Sequence, residues 1–504
     1  MTGAPRSASV RAARDCDLIV IERDEFERLL RDAPELSLAL NRVLGEQLRE
    51  SRGVAATARP LPVTLALVPL DDRVPTAEIA DALAVALGRD SRVARLDGSE
   101  APAAEGVDPV ALYGPVLDRA EHDNELVLLV AGDSAEGEPW DRFCLQQADR
   151  ILAVSSGAPI PADVGARPEL LGCDLAGWDV ERGSGSLAEW VARLDPIESH
   201  ALHSDASLED DVQRLARRLS GRAVGIVLSG GGARALAHIG VLEELAASGV
   251  QIDRVAGVSM GALLGGMLAV GMEPDEIDQH VYEELVRRRP IGDVTFPRHS
   301  LIRGGRLHAM VRRTFGATAI EELERSFFAA SADLRASELV VHKHGPIAEA
   351  IIASASPPLL TPPQVRGRQI LVDGSLIDNL PVSAMAALGE GPIIAVDVKA
   401  SFDPSRPPAR AGERMSIPDR RDERRNGPAE PAARTPSLGE TLTRVFLLAS
   451  SNTSESARRH ASLVINPRNQ GVGLLEFHQL DQAREAGRVA ARQALADAPA
   501  ELWP

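Results

Sequence analysis

Short runs of consecutive apolar residues recur through the chain, separated by longer stretches in which apolar residues return every three or four positions. From Val63 onward the runs are 63–68, 93–96, 126–130 and 150–154, with helical spacing over roughly 76–88, 108–121 and 139–148. A short run apolar on both faces reads as a strand buried on both faces, and strand–helix alternation predicts a parallel sheet covered by helices on both sides. Region 63–195 is therefore expected to be a Rossmann-like α/β domain. The same pattern resumes at 224–228 and 253–258, each run passing into a helical pattern at 235–247 and 260–270. A further strand is expected at 369–373, ahead of a helix opened by Pro381.

Chemistry gathers where these strands end. The run 224–228 leads into Ser229-Gly230-Gly231-Gly232-Ala233-Arg234. A glycine-rich turn before a helix leaves amide N–H groups unpaired, and with the helix dipole these suit a negative oxygen. An oxyanion hole, a phosphate loop and a plain tight turn are all consistent with it. The second strand ends in Gly257-Val258-Ser259-Met260-Gly261. A serine between a strand and a helix, with glycine two residues to either side, stands on a sharp exposed turn as a nucleophile would. The third strand ends in Asp373-Gly374, 114 residues after that serine. Such an aspartate is commonly a turn former; with a nucleophile elbow upstream, Asp373 becomes the candidate base.

In this order the motifs resemble the patatin-like phospholipase family. The segments 237–242 (AHIGVL), 341–346 (VHKHGP), 353–357 (ASASP) and 377–381 (IDNLP) are similar to bacterial relatives of neuropathy target esterase, and the resemblance covers roughly 222–400. It implies a three-layer α/β/α catalytic domain over 220–400 that cleaves carboxylic esters of phospholipids or lysophospholipids through an acyl-enzyme, without cofactor or metal. Ser259 would be the nucleophile and Asp373 its base. Gly230, Gly231 and Gly232 would form the oxyanion hole, with Arg234, Gly257, Gly261 and Gly374 in supporting positions. Two residues depart from the family pattern: Ala235 stands where glycine is usual, and Ser375 where glycine or alanine is usual. His238 lies inside the helix after the glycine loop and is expected to be a packed helix histidine rather than a third catalytic member. The alternatives are acyl transfer to an alcohol, or a degraded enzyme kept as a lipid- or partner-binding module.

Composition narrows the setting. With 504 residues the chain exceeds one ordinary core, so several domains are expected. A net charge of −18 argues against nucleic acid and against electrostatic attachment to anionic lipid. Cys16, Cys144 and Cys173 are scattered without metal spacing, which suits a reducing compartment. The apolar stretch 255–271 is too short and glycine-rich for a membrane span. A cytoplasmic protein is expected, in contact with membrane at its surface at most. The lysines are Lys343 and Lys399 alone, so the turn after the first strand holds no Walker-type nucleotide site.

The flanks are different in character. Residues 1–53 resemble the end of a cyclic-nucleotide-binding domain, which points to Arg6 for the cyclic phosphate. Most of the β-roll is missing, so no cyclic-nucleotide binding is expected: either an upstream piece is absent from the chain or the domain is a relic. Trp140 and residues 146–150 (QQADR) resemble the intermediate region that precedes the catalytic domain in the bacterial relatives. Residues 54–62 read as a linker and 198–219 as a helical lead-in. The Pro- and Arg-rich stretch 403–436 is expected to be a disordered linker, and 438–495 to pack on the catalytic domain as two helices flanking a strand near 461–465. The proline-stiffened segment 357–363 would either line an acyl groove or bury a loop.

Overall fold

The computed structural model describes residues 61–99, 108–132, 139–160, 168–296, 300–398, 459–469 and 471–498, with isolated positions between 25 and 28. The expectations for nearly all of 1–53, for Arg6, for 403–436 and for the first of the two helices in 438–495 fall outside the described residues.

Two sheets organise the described chain. The first contains β1 (Thr64–Pro69), β2 (Val93–Leu96), β3 (Leu126–Val130), β4 (Arg150–Ser155), β5 (Asp174–Trp178) and β6 (Glu198–Leu202) in the order β2-β3-β1-β4-β5-β6. All its pairings are parallel. Helices α1 (Thr76–Leu87), α2 (Pro109–Asp123), α3 (Pro139–Gln147), α4 (Ala188–Leu194) and α5 (Leu208–Leu219) connect the strands. Both sheet faces are covered, one by a cluster that includes Trp140, Phe143 and Trp190, the other by one that includes Ile79, Leu83, Leu215 and Leu219. The expected helical lead-in needs correcting: Glu198–Leu202 is the edge strand β6, and the helix begins only at Leu208. In β6 buried Glu198 and His200 alternate with half-buried neighbours, and buried polar residues hid the strand from a pattern that looks for apolar runs.

The second sheet runs β11-β12-β9-β8-β7-β13-β14, with β10 also paired to β9. Its members are β7 (Gly225–Leu228), β8 (Arg254–Gly257), β9 (Ser326–Asp333), β10 (Glu338–His342), β11 (Gln364–Arg366), β12 (Gln369–Asp373), β13 (Ile393–Val396) and β14 (Leu463–Ile465). The helices here are α6 (Ala237–Ala247), α7 (Met260–Ala269), α8 (Pro274–Val281), α9 (Gly305–Phe315), α10 (Ile347–Ser354), α11 (Val382–Ala386) and α12 (Leu480–Asp497). Helix α7 is buried over nine of its ten residues, as its all-round apolar sequence requires. It is therefore a core helix, and among the described residues no helix is long and apolar enough to cross a membrane.

Register brings distant motifs to one place. Strands β7 and β8 are parallel and end together, Leu228 opposite Gly257. Gly257 is in turn opposite Ala329 of β9, which continues four residues further. Strand β12 runs back antiparallel along this extension and ends with Asp373 opposite Ser331, two residues beyond Ala329. The C-terminal ends of β7, β8 and β12 thus converge on one edge of the sheet.

Candidate active site

Ser259 occupies the step between β8 and α7 with φ 56° and ψ −124°. A non-glycine residue there is strained, and such strain persists only where its surroundings enforce it. The enforcement is visible. The Ser259 amide donates to Ser354 Oγ at 2.9 Å, and that hydroxyl donates to the Ala330 carbonyl at 2.6 Å. The flanking glycines are needed for closeness: a Cβ on Gly257 would lie 2.4 Å from the Gly261 carbonyl carbon, and one on Gly261 2.3 Å from the Leu228 oxygen. Any side chain at either position would push strand and helix apart and open the turn.

The Ser259 hydroxyl lies close enough to the Asp373 carboxylate to favour its charged form. Asp373 is buried and also accepts the Ser375 amide at 3.0 Å and the Ser375 hydroxyl at 2.6 Å, both on Oδ1. Burial raises its pKa above the ordinary aspartate value, while Ser259 and the bonds from Ser375 pull it back. Gly374 is a close approach as well, because a Cβ there would lie 2.3 Å from the Ala330 oxygen.

The glycine loop divides into two parts. Gly230 is buried against Ser259, where a Cβ would come within 3.0 Å of the serine Cβ. Its amide donates to Asn379 Oδ1 at 3.0 Å, and Asn379 Nδ2 returns a bond to the Gly230 carbonyl at 3.2 Å. This amide, expected in an oxyanion hole, is already engaged. Gly231 and Gly232 are half-buried, and their amides have no partner among the described residues. They open a short 3₁₀ turn, Gly232–Leu236, that precedes α6, so the loop meets the dipole of a helical turn as expected.

Arg234 fastens this loop from behind. Its Nε donates to the Val472 carbonyl at 3.1 Å, and its own carbonyl accepts Asn469 Nδ2 at 3.0 Å. The Ala233 amide donates to the Leu474 carbonyl at 2.8 Å. Partial burial lowers the Arg234 pKa. His238 is fully buried in α6 and its Nε2 meets the Ser229 carbonyl at 2.8 Å; burial lowers its pKa to about 4, so it stays neutral. Neither Ser259 nor Asp373 bonds a histidine among the described residues.

Three contributors were not anticipated from the residues alone: Ser354, Asn379 and the hydroxyl of Ser375. Ser354 and Asn379 lie inside segments noted for resemblance, but nothing local in SASP or DNLP shows which backbone groups they hold. Of the two departures, Ala235 is fully buried. Ser375 is more consequential, because it adds a donor to the carboxylate.

Comparison with known proteins gives the family of the chain. A family model described as patatin-like phospholipase matches residues 226–386. An NTE family protein of Mycobacterium tuberculosis is 36% identical over 516 residues, covering 99% of this chain and 83% of that protein. Lysophospholipase NTE1 of Coccidioides immitis is 26% identical over 574 residues, or 97% of this chain but 36% of the fungal protein. The glycine loop, serine elbow and buried aspartate therefore sit in a chain that belongs to the NTE family and carries its patatin-like phospholipase domain.

Proposed function

We propose that this protein hydrolyses the carboxylic esters of phospholipids and lysophospholipids with Ser259 as nucleophile and Asp373 as its base. The observation that carries this reading is the strained turn at half-buried Ser259, whose hydroxyl favours the charged form of the buried Asp373 carboxylate. Patatin-like and lysophospholipase relatives support a lipid ester as substrate.

In the first half-reaction Asp373 accepts the Ser259 hydroxyl proton as Oγ attacks the ester carbonyl carbon. The oxyanion that forms is assigned to the free amides of Gly231 and Gly232, donors positioned before the charge develops. Asn379 holds Gly230, so the loop does not reorganise during the step. Collapse expels the alcohol, which takes its proton from Asp373, and leaves an acyl-Ser259. Asp373 then deprotonates a water that attacks the acyl carbon, and the free fatty acid departs with Ser259 regenerated. A carboxylate of raised pKa is a better proton acceptor than an exposed one, which is how a base of this kind works without histidine.

The test is labelling by a fluorophosphonate, followed by measurement of fatty acid released from lysophosphatidylcholine. Wild type is expected to label and turn over, and Ser259→Ala and Asp373→Asn each to lose activity by about a thousandfold or more. An unlabelled, folded wild-type protein would overturn the assignment.

A further inference from the structure

Residues 293–296 and 300–303 adjoin one another on the surface. The Thr295 amide donates to the Leu301 carbonyl and the Arg303 amide to the Asp293 carbonyl, each at 2.9 Å, while Val294 faces Ile302. Three of their side chains are apolar and exposed: Val294 by 75%, Phe296 by 80% and Leu301 by 52%. The Leu301 and Ile302 amides donate to the carbonyls of Leu359 and Leu360 at 2.7 and 3.0 Å. This adds Leu359, itself 51% exposed and held at φ 70°. A leucine in the left-handed region is costly, and here the cost leaves an apolar side chain in water. Four exposed apolar residues in adjoining segments mark an interaction site more often than isolated ones do.

The charge around this surface opposes that of the chain. Arg289, Arg303 and Arg306 are exposed, and their guanidiniums have no partner among the described residues. Neighbouring Arg287, Arg288 and Arg313 are paired with Glu283 or Glu284, and Arg312 with Glu349. Asp293 is the one acidic residue between Arg289 and Arg306, and its Oδ2 accepts the Arg306 amide at 3.3 Å. At physiological salt, charges beyond about 8 Å are largely screened. An approaching surface therefore meets these arginines rather than the net −18 of the molecule.

The surface is joined to the catalytic machinery. Leu359 lies three residues after Ser356, whose carbonyl accepts the Asp373 amide at 2.9 Å, and five after Ser354, which holds the Ser259 amide. We propose that this face docks the protein on a lipid bilayer carrying anionic headgroups. Val294, Phe296, Leu301 and Leu359 enter the boundary between headgroups and acyl chains, and Arg289, Arg303 and Arg306 meet the phosphates. The inference names where the lipid of the proposed reaction comes from, but docking needs no turnover and is tested separately.

The test uses the full chain carrying Ser259→Ala, sedimented with vesicles of phosphatidylcholine alone or mixed with phosphatidylglycerol. Binding to the mixed vesicles, much weaker to the neutral ones, is expected. Phe296→Ser should weaken it about tenfold, and Arg289→Gln, Arg303→Gln and Arg306→Gln about fivefold each. Val85→Ser, which removes a 68% exposed valine on α1, should change nothing. Circular dichroism and thermal melting show that each variant is folded. No binding to either vesicle, or equal binding by all variants, overturns the proposal. So does a dimer that Phe296→Ser dissociates in the absence of vesicle binding, which would make the face a contact between copies. A Ser259 protein that binds vesicles but takes no fluorophosphonate sinks the hydrolase reading alone; one that takes the label but never binds sinks only the docking face.

Discussion

Asp373 shows how much one hydroxyl can decide. Its carboxylate is buried, and the Ser375 hydroxyl at 2.6 Å is one of the groups holding its pKa down against that burial. Replacing Ser375 by alanine removes a donor to the charged form, so the carboxyl is protonated at higher pH. The acid limb of the kcat/KM profile, which needs ionised Asp373, should move upward by about one pH unit or less, with the plateau at high pH little changed. Profiles of wild type and Ser375→Ala on a soluble short-chain ester would show it, and an unmoved acid limb would remove Ser375 from the base's environment. At this scale the tight turns that carry Ser259 and Asp373 were legible, because GxSxG and Asp-Gly each have a backbone reason: the Cβ atoms their glycines lack would collide with neighbouring main chain. Ser354 and Asn379 were not legible in role. Each holds a backbone group 95 or 149 residues away, and no spacing rule spans such distances. The engagement of the Gly230 amide was hidden for the same reason.

Among the elements, α6 and α12 make the closest approach that the glycines reveal. A Cβ on Gly240 would lie 1.9 Å from the Arg484 carbonyl oxygen, and one on Gly487 2.0 Å from the Ala237 oxygen. The two backbones touch, and ion pairs of Arg488 and Arg492 with Glu243 and Glu244 line the seam. Gly487→Val should therefore cost about 3 kcal/mol or more, since backbone rather than a flexible side chain must yield. It should also loosen the glycine loop, so urea midpoint and esterase activity are expected to fall together; an unchanged midpoint would mean that the helices adjust freely. Strand positions in the first sheet were legible where the apolar run is unbroken, as at Leu126–Val130, but β5 was missed because Asp174 and Gly177 interrupt its run. Strand β6 was missed too, because its inward positions carry Glu198 and His200. Their burial makes sense only once their partners on other elements are known.

Across the whole molecule those partners form a junction between the sheets. Glu390, buried just ahead of β13, accepts bonds from Arg218 at 2.9 Å and Arg150 at 3.0 Å, and Arg218 also reaches Glu198 at 2.7 Å. Glu198 receives the Ser326 hydroxyl of the second sheet at 2.8 Å, and Arg150 pairs in addition with Asp174. Burial alone would raise the Glu390 pKa, but Arg218, Arg150 and Arg254 hold it well below the usual carboxylate range. The stability this lends is present at neutral pH and is lost only as pH falls through that lowered value. Glu390→Gln leaves Arg218 with the Glu198 carboxylate alone and Arg150 with that of Asp174 alone, removes the charge the two guanidiniums share, and should cost about 3 kcal/mol. Three of the four tryptophans, 140, 178 and 190, belong to the first sheet's unit, so with Trp503 replaced by phenylalanine the fluorescence reports on that half and circular dichroism on both. The two transitions should coincide in wild type and separate in Glu390→Gln; coincidence in both proteins would show that other contacts join the sheets. The C-terminal segment has a consequence in time. Asn469, Val472 and Leu474 brace the glycine loop, and β14 closes the edge of β13, yet all are synthesised long after Ser259 and Asp373. At the roughly 5–20 residues per second of translation, a nascent chain on the ribosome carries Ser259 and Asp373 for several seconds before its glycine loop is braced. Lipid hydrolysis is thus expected to begin only once this C-terminal segment has been made and has docked against the loop.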